Sequence, residues 1–179
     1  MKKKVLLIGA GAALAVGAYL VLRSRKSIPK GAVPFKPFDK ERYMGHWYEI
    51  ARLDYRHEKN LSNTEAEYSI NEDGSIKVIN SGFNLRTRKQ ETVTGKAKFA
   101  GSSTEGKLKV SFWGPFYSGY NVLAIDRDYK YALVAGKDLN YLWLLSRDTT
   151  MPEHIREEYL NMAKDLGYEV SRLVWVSHN

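Results

Sequence analysis

At 179 residues the chain is long enough for one domain of about 140 residues with a sizeable core, plus an appendage. Its net charge of +8 is not spread evenly: residues 1–36 hold eight Lys or Arg and no acid, and residues 37–179 hold the other 20 basic residues against all 20 acidic ones. The domain is therefore neutral overall, which removes the best argument for nucleic-acid binding, and the absence of cysteine excludes disulfides, thiolate catalysis and Cys-ligated zinc.

Lys2-Lys3-Lys4 precede Val5 to Leu22, an apolar run without a charged residue. As a helix it would span about 27 Å, close to the roughly 30 Å of a hydrocarbon core. Residues 1–26 are expected to form an N-terminal transmembrane anchor, with a cleaved signal segment as the alternative. Ser27 to Pro37, with Pro29, Pro34 and Pro37, is expected to be a stiffened linker, and residues 38–179 the folded domain.

From Trp47 onward period-2 alternation dominates, broken by Gly, Asn, Asp and Ser clusters. Gly45, two before Trp47, suits a sharp turn into a strand that plugs the closed end of a barrel with an indole. Thr64 to Ile70 puts Ala66, Tyr68 and Ile70 on one face, and Asn71-Glu72-Asp73-Gly74 predicts a hairpin turn. Ile76, Val78, Asn80 and Gly82 share the next face. Val93, Gly95, Ala97 and Phe99 share the one after, followed by Leu108, Val110 and Phe112.

Strands near 120–125, 131–136 and 141–146 are apolar on both faces, so something must cover their outer side. The cover expected is a helix opened by a Thr150-x-x-Glu153 capping box, closed by Gly167, with Ile155, Tyr159, Met162 and Leu166 as its apolar stripe. A last strand is predicted over 170–176. The pattern is all-β: an eight-stranded antiparallel up-and-down barrel with one C-terminal helix and a short extra strand.

Three stretches carry a resemblance: Tyr43 to Ala51; Gly114 to Val122 with Asp126-Arg127-Asp128-Tyr129; and Tyr141 to Arg147. Together they resemble the lipocalins, and within them the bacterial lipocalins related to apolipoprotein D, over about residues 36–177. The resemblance implies that Gly45, Trp47 and Arg147 are structural, with the guanidinium stacked on the indole. It also implies a cavity lined by Tyr68, Asn80 and Trp143. Alternation adds Phe99 and Phe112 as apolar walls.

Two features depart from the family pattern. Asp126-Arg127-Asp128-Tyr129 replaces the commoner Thr-Asp-Tyr, and the cysteine that lipid-anchors many bacterial outer-membrane lipocalins is missing.

The implied partner is a single-chain lipid, a fatty acid or lysophospholipid, with the membrane contacted through residues 5–22. No cofactor, metal or nucleic acid is expected, since the four histidines are scattered and no Walker loop or nucleophile elbow occurs. The implied location is the bacterial cell envelope, with the domain outside the cytoplasm. A membrane-tethered carrier is thus expected and not an enzyme. The alternatives are a lipocalin-fold enzyme acting on a lipid, and an interaction protein whose barrel is filled.

Overall fold

Alternating apolar residues force each strand to bury one side, and the chain satisfies them all by closing on itself. The computed structural model describes residues 27–54 and 59–178. Its strands are β1 (Gly45–Leu53), β2 (Leu61–Ile70), β3 (Ile76–Asn84), β4 (Lys89–Phe99), β5 (Lys107–Trp113), β6 (Phe116–Ile125), β7 (Tyr131–Ala135), β8 (Leu142–Ser146) and β9 (Leu173–Trp175). A one-turn helix α1 (Lys40–Tyr43) precedes the barrel, and α2 (Glu153–Asp165) follows β8.

Sequential strands pair antiparallel from β2 round to β8, and β8 pairs with β1. The β1–β2 ladder, from Gly45↔Tyr68 to Tyr48↔Glu65, closes the ring. The expected eight-stranded barrel with one helix and an added strand is what forms.

Because neighbours run up and down, the tips alternate between two ends. The turns at 71–74, 100–106 and 126–130 lie with α1 at one end. The β3–β4, β5–β6 and β7–β8 tips lie at the other. Asn71-Glu72-Asp73-Gly74 makes the predicted hairpin, with Gly74 at φ 75 and its N–H donated to the Asn71 carbonyl at 2.9 Å.

The strands apolar on both faces are covered as expected, though by two elements. Leu123, Leu133, Leu142 and Leu144 point outward and are buried with Tyr159 and Ala163 of α2, while Val122, Ala132, Val134 and Leu145 face the interior core. Ile28 and Ala32 pack on the outer cluster as well. Residues 27–37 thus lie along the wall: Phe35 N–H donates to the Val122 carbonyl at 2.8 Å, and Asn121 Nδ2 donates to the Ser27 carbonyl at 2.8 Å. A side chain at Gly119 would collide with the Ser27 carbonyl, so glycine there admits this close approach.

Two local expectations are corrected. The capping box does not form: α2 begins after Pro152 without a side-chain cap, and the Thr150 carbonyl accepts from Ser146 Oγ at 2.8 Å. The last strand is shorter than 170–176, because Val170–Arg172 winds into a 3-10 turn before Leu173. Gly167 does close the helix at φ 91: its N–H bonds the Lys164 carbonyl and the Tyr168 N–H bonds that of Ala163, a Schellman pattern. The expected transmembrane helix lies outside the described residues; among those described, no helix is long and apolar enough to cross a membrane.

Candidate ligand cavity

The closed end is built around one cation. Gly45, at φ 89, turns the chain from α1 into β1 and delivers Trp47, fully buried, to the barrel axis. The Arg147 guanidinium lies 3.8 Å from the Trp47 ring centroid. Its nitrogens donate to the carbonyls of His46 at 2.6 Å, Met44 at 2.8 Å, Arg42 at 2.9 Å, and Tyr43 and Tyr129 at 3.2 Å. All but the Tyr129 carbonyl, which lies in the β6–β7 turn, belong to the chain crossing under the barrel, whose carbonyls the guanidinium satisfies.

The indole N–H donates to the Tyr43 carbonyl at 2.8 Å. Asp126 holds the backbone of the next turn in place. Its carboxylate accepts from the N–H groups of Asp128, Lys130 and Tyr131 and fixes the β6–β7 turn.

Above Trp47 stand three tyrosines. The Tyr43 and Tyr120 hydroxyls are 2.6 Å apart, and those of Tyr120 and Tyr68 are 2.9 Å apart. Burial pushes the Tyr43 and Tyr120 phenols well above their ordinary value of 10.0, so both are neutral donors at physiological pH. This chain of hydroxyls gives an otherwise apolar floor a polar centre.

Over that floor lies a cavity of about 740 Å³, within the range of small-molecule sites. Its walls include Ala66, Ile76, Val78, Ala97, Leu108 and Val110, and its lining reaches Trp113, Phe116 and Lys137 at the mouth. The filled-barrel alternative is therefore corrected: small inward residues such as Ala66 and Ala97 help leave the interior hollow.

Of the residues expected as walls, Tyr68, Asn80, Phe112 and Trp143 line this space. Phe99 does not. It sits at the end of β4 next to the closed end, where its ring meets Phe38 edge-on at a centroid distance of 6.3 Å. Asn80 Oδ1 is buried in the wall with no hydrogen-bond partner among the described residues.

A buried ionic group in the wall is one that the sequence reading missed. Glu49 is two residues from Trp47 and so points inward. Its Oε1 accepts from Arg52 Nη1 at 2.7 Å and from Thr64 Oγ1 at 3.1 Å. Burial raises the Glu49 carboxyl, against the pull of Arg52. The Trp47-x-Glu49 spacing is the signal that could have found it. Tyr43 and Tyr120 are visible in the sequence only as parts of motifs, because their partnership spans 77 residues.

A barrel sealed at one end and hollow toward the other has the form of a calyx, with room for a small molecule. A family model described as a Lipocalin-like domain matches residues 38–178, and the chain belongs to the lipocalin family. It is 46% identical over 165 residues to the "Outer membrane lipoprotein Blc" of Escherichia coli, covering 92% of this chain and 93% of that one. Apolipoprotein D of Rattus norvegicus is more distant, 32% identical over 71% of this chain and 72% of its own. Among solved structures, insecticyanin from the tobacco hornworm Manduca sexta superposes with a TM-score of 0.68 at 21% identity, covering 86% and 87% of the two chains, a likeness of fold.

Proposed function

We propose that the protein is a membrane-tethered carrier that holds one single-chain lipid, a fatty acid or lysophospholipid, with the acyl chain in the barrel. The observation carrying this reading is the cavity itself: about 740 Å³, walled largely by aliphatic and aromatic side chains and open at one end. Burying methylenes contributes about 0.8 kcal/mol each, on the order of 10 kcal/mol for a long chain before entropic losses. Tyr68, Asn80, Phe112 and Trp143 are the proposed contacts. The role is lipid transport or membrane maintenance, without turnover of the bound lipid.

Residues 5–22 are the proposed tether. The related protein from Escherichia coli is named as an outer membrane lipoprotein, whereas this chain has no cysteine to acylate. The apolar run of residues 5–22 is proposed to supply attachment by other means, with the barrel on the envelope side.

Titrating the protein with lysophospholipid and with fatty acids of graded length is expected to quench tryptophan emission saturably. Trp143→Arg, which puts a charge in the apolar wall, is expected to weaken binding by tenfold or more, given that each 1.4 kcal/mol is about tenfold. Ala66→Phe, which fills space, is expected to exclude long chains first. Absence of saturable binding at every chain length overturns the reading; a mass change in the recovered lipid overturns the carrier role in favour of an enzyme.

A further inference from the structure

Of the nine large apolar residues exposed among those described, four stand together at the mouth. Phe116 is 80% exposed, Trp113 72%, Leu85 60% and Leu139 42%, and they occupy the tips of three separate hairpins at the same end of the barrel. A two-residue Gly114-Pro115 turn, with Gly114 at φ 56, pairs Trp113 directly with Phe116 and fixes their backbones side by side. Single exposed apolar residues need no explanation, but four converging on the opening of a cavity do.

Charge separates the possible occupants. Lys59, Arg86, Arg88, Lys89 and Lys137 surround these tips. The acids described at this end are Asp54, Glu91 and Asp138, five cations against three acids. Each acid is engaged: Asp54 faces Arg52, Glu91 accepts from Asn84, and Asp138 accepts from Asn140. Lys98 and Lys109 lie over the Tyr117 ring at 4.6 and 5.6 Å on the outer wall. Lys109 pairs with Gly119, three residues below Phe116, which at about 3.3 Å per residue is roughly 10 Å from the tip.

Apolar tips with cations beside them, and two lysines about that far below on one flank, match the boundary between acyl chains and anionic headgroups, where amphipathic elements sink about 5–10 Å. A second copy of the chain would bring like charges together.

We propose that the mouth of the barrel docks on an anionic lipid bilayer, with Trp113, Phe116, Leu85 and Leu139 entering its interface and Arg86, Arg88, Lys89 and Lys137 meeting its headgroups. This contact does not depend on what the cavity holds. It aligns the opening with the membrane from which an apolar guest would come.

The test uses the full chain with vesicles of phosphatidylcholine brominated on its acyl chains, with or without phosphatidylglycerol. With phosphatidylglycerol present, bromine is expected to quench part of the tryptophan emission. Trp113→Phe is expected to abolish that part while keeping an apolar tip. Leu85→Ser with Phe116→Ser, and raised salt, should each weaken it about tenfold.

Quenching that persists in Trp113→Phe and disappears in Trp143→Phe would report lipid inside the cavity and overturn the docking. So would quenching indifferent to phosphatidylglycerol. A dimer in which Trp113 is shielded without vesicles would assign the rim to a second copy instead.

Discussion

The two ends of the barrel use the same kinds of side chain to opposite effect. At the closed end Trp47, Tyr43 and Phe38 are buried around a guanidinium that faces inward onto carbonyls. At the open end Trp113 and Phe116 stand out from the protein, and the arginines beside them are exposed. An aromatic beside a cation is thus a stopper in one place and a contact surface in the other. What differs is whether polar backbone is there to receive the cation's donors.

The contrast is tested most severely by Trp47→Ala. Removing the stopper is expected to cost about 3–5 kcal/mol, read as a fall in urea midpoint. Tyr120→Phe deletes the middle hydroxyl of the floor, leaving those of Tyr43 and Tyr68 without it, and is expected to cost about 1–3 kcal/mol.

The floor also predicts a pH dependence. The folded Tyr43 and Tyr120 hold their protons above the unfolded value of 10.0. Above that pH the unfolded chain binds fewer protons than the folded one, so stability is fully present below about pH 10 and falls as pH rises beyond it. The slope approaches about 1.4 kcal/mol per pH unit for each tyrosine. Urea unfolding at pH 9 and pH 11 should show this loss, and Tyr43→Phe with Tyr120→Phe should lessen it, leaving the part that Tyr159 and Tyr168, whose phenols burial also pushes up, contribute.

The smallest effect is expected at the mouth. Trp113→Ser with Phe116→Ser should change stability by no more than about 0.5 kcal/mol, measured in the same way. A large loss there would erase the distinction between the two ends.

The sequence discloses the closed end far better than the cavity. Gly45 and Trp47 form a short motif, Arg147 is implied by the family resemblance, and alternation sorts Tyr68, Asn80 and Phe112 to the inside, where the structure has them. Alternation gives the face of a strand but not the height along it. It therefore assigns Phe99 to the walls, although that ring belongs beside Phe38 at the bottom. Partnerships across the barrel are illegible for a related reason. The contact of Tyr43 with Tyr120, and the approach of Ser27 to Gly119, depend on register between distant segments. The capping box fails because the helix starts later than Thr150 would require, with Pro152, which has no side-chain acceptor, at the N-cap.

The ring of strands is not equally stitched all round. Tyr48 is paired with both β2 and β8, and Ala51 with both β8 and β9, so β2 and β9 must share one edge of β1 in succession. Past Tyr48 the two staves part, and the tail slips between them: Val176 N–H bonds the Ile50 carbonyl, and Asn63 N–H bonds the Ser177 carbonyl. Below that wedge, Glu49, Arg52 and Thr64 clasp the join through side chains. The wall is consequently completed on this flank by residues 173–177, which fill the gap that the short β1–β2 ladder leaves.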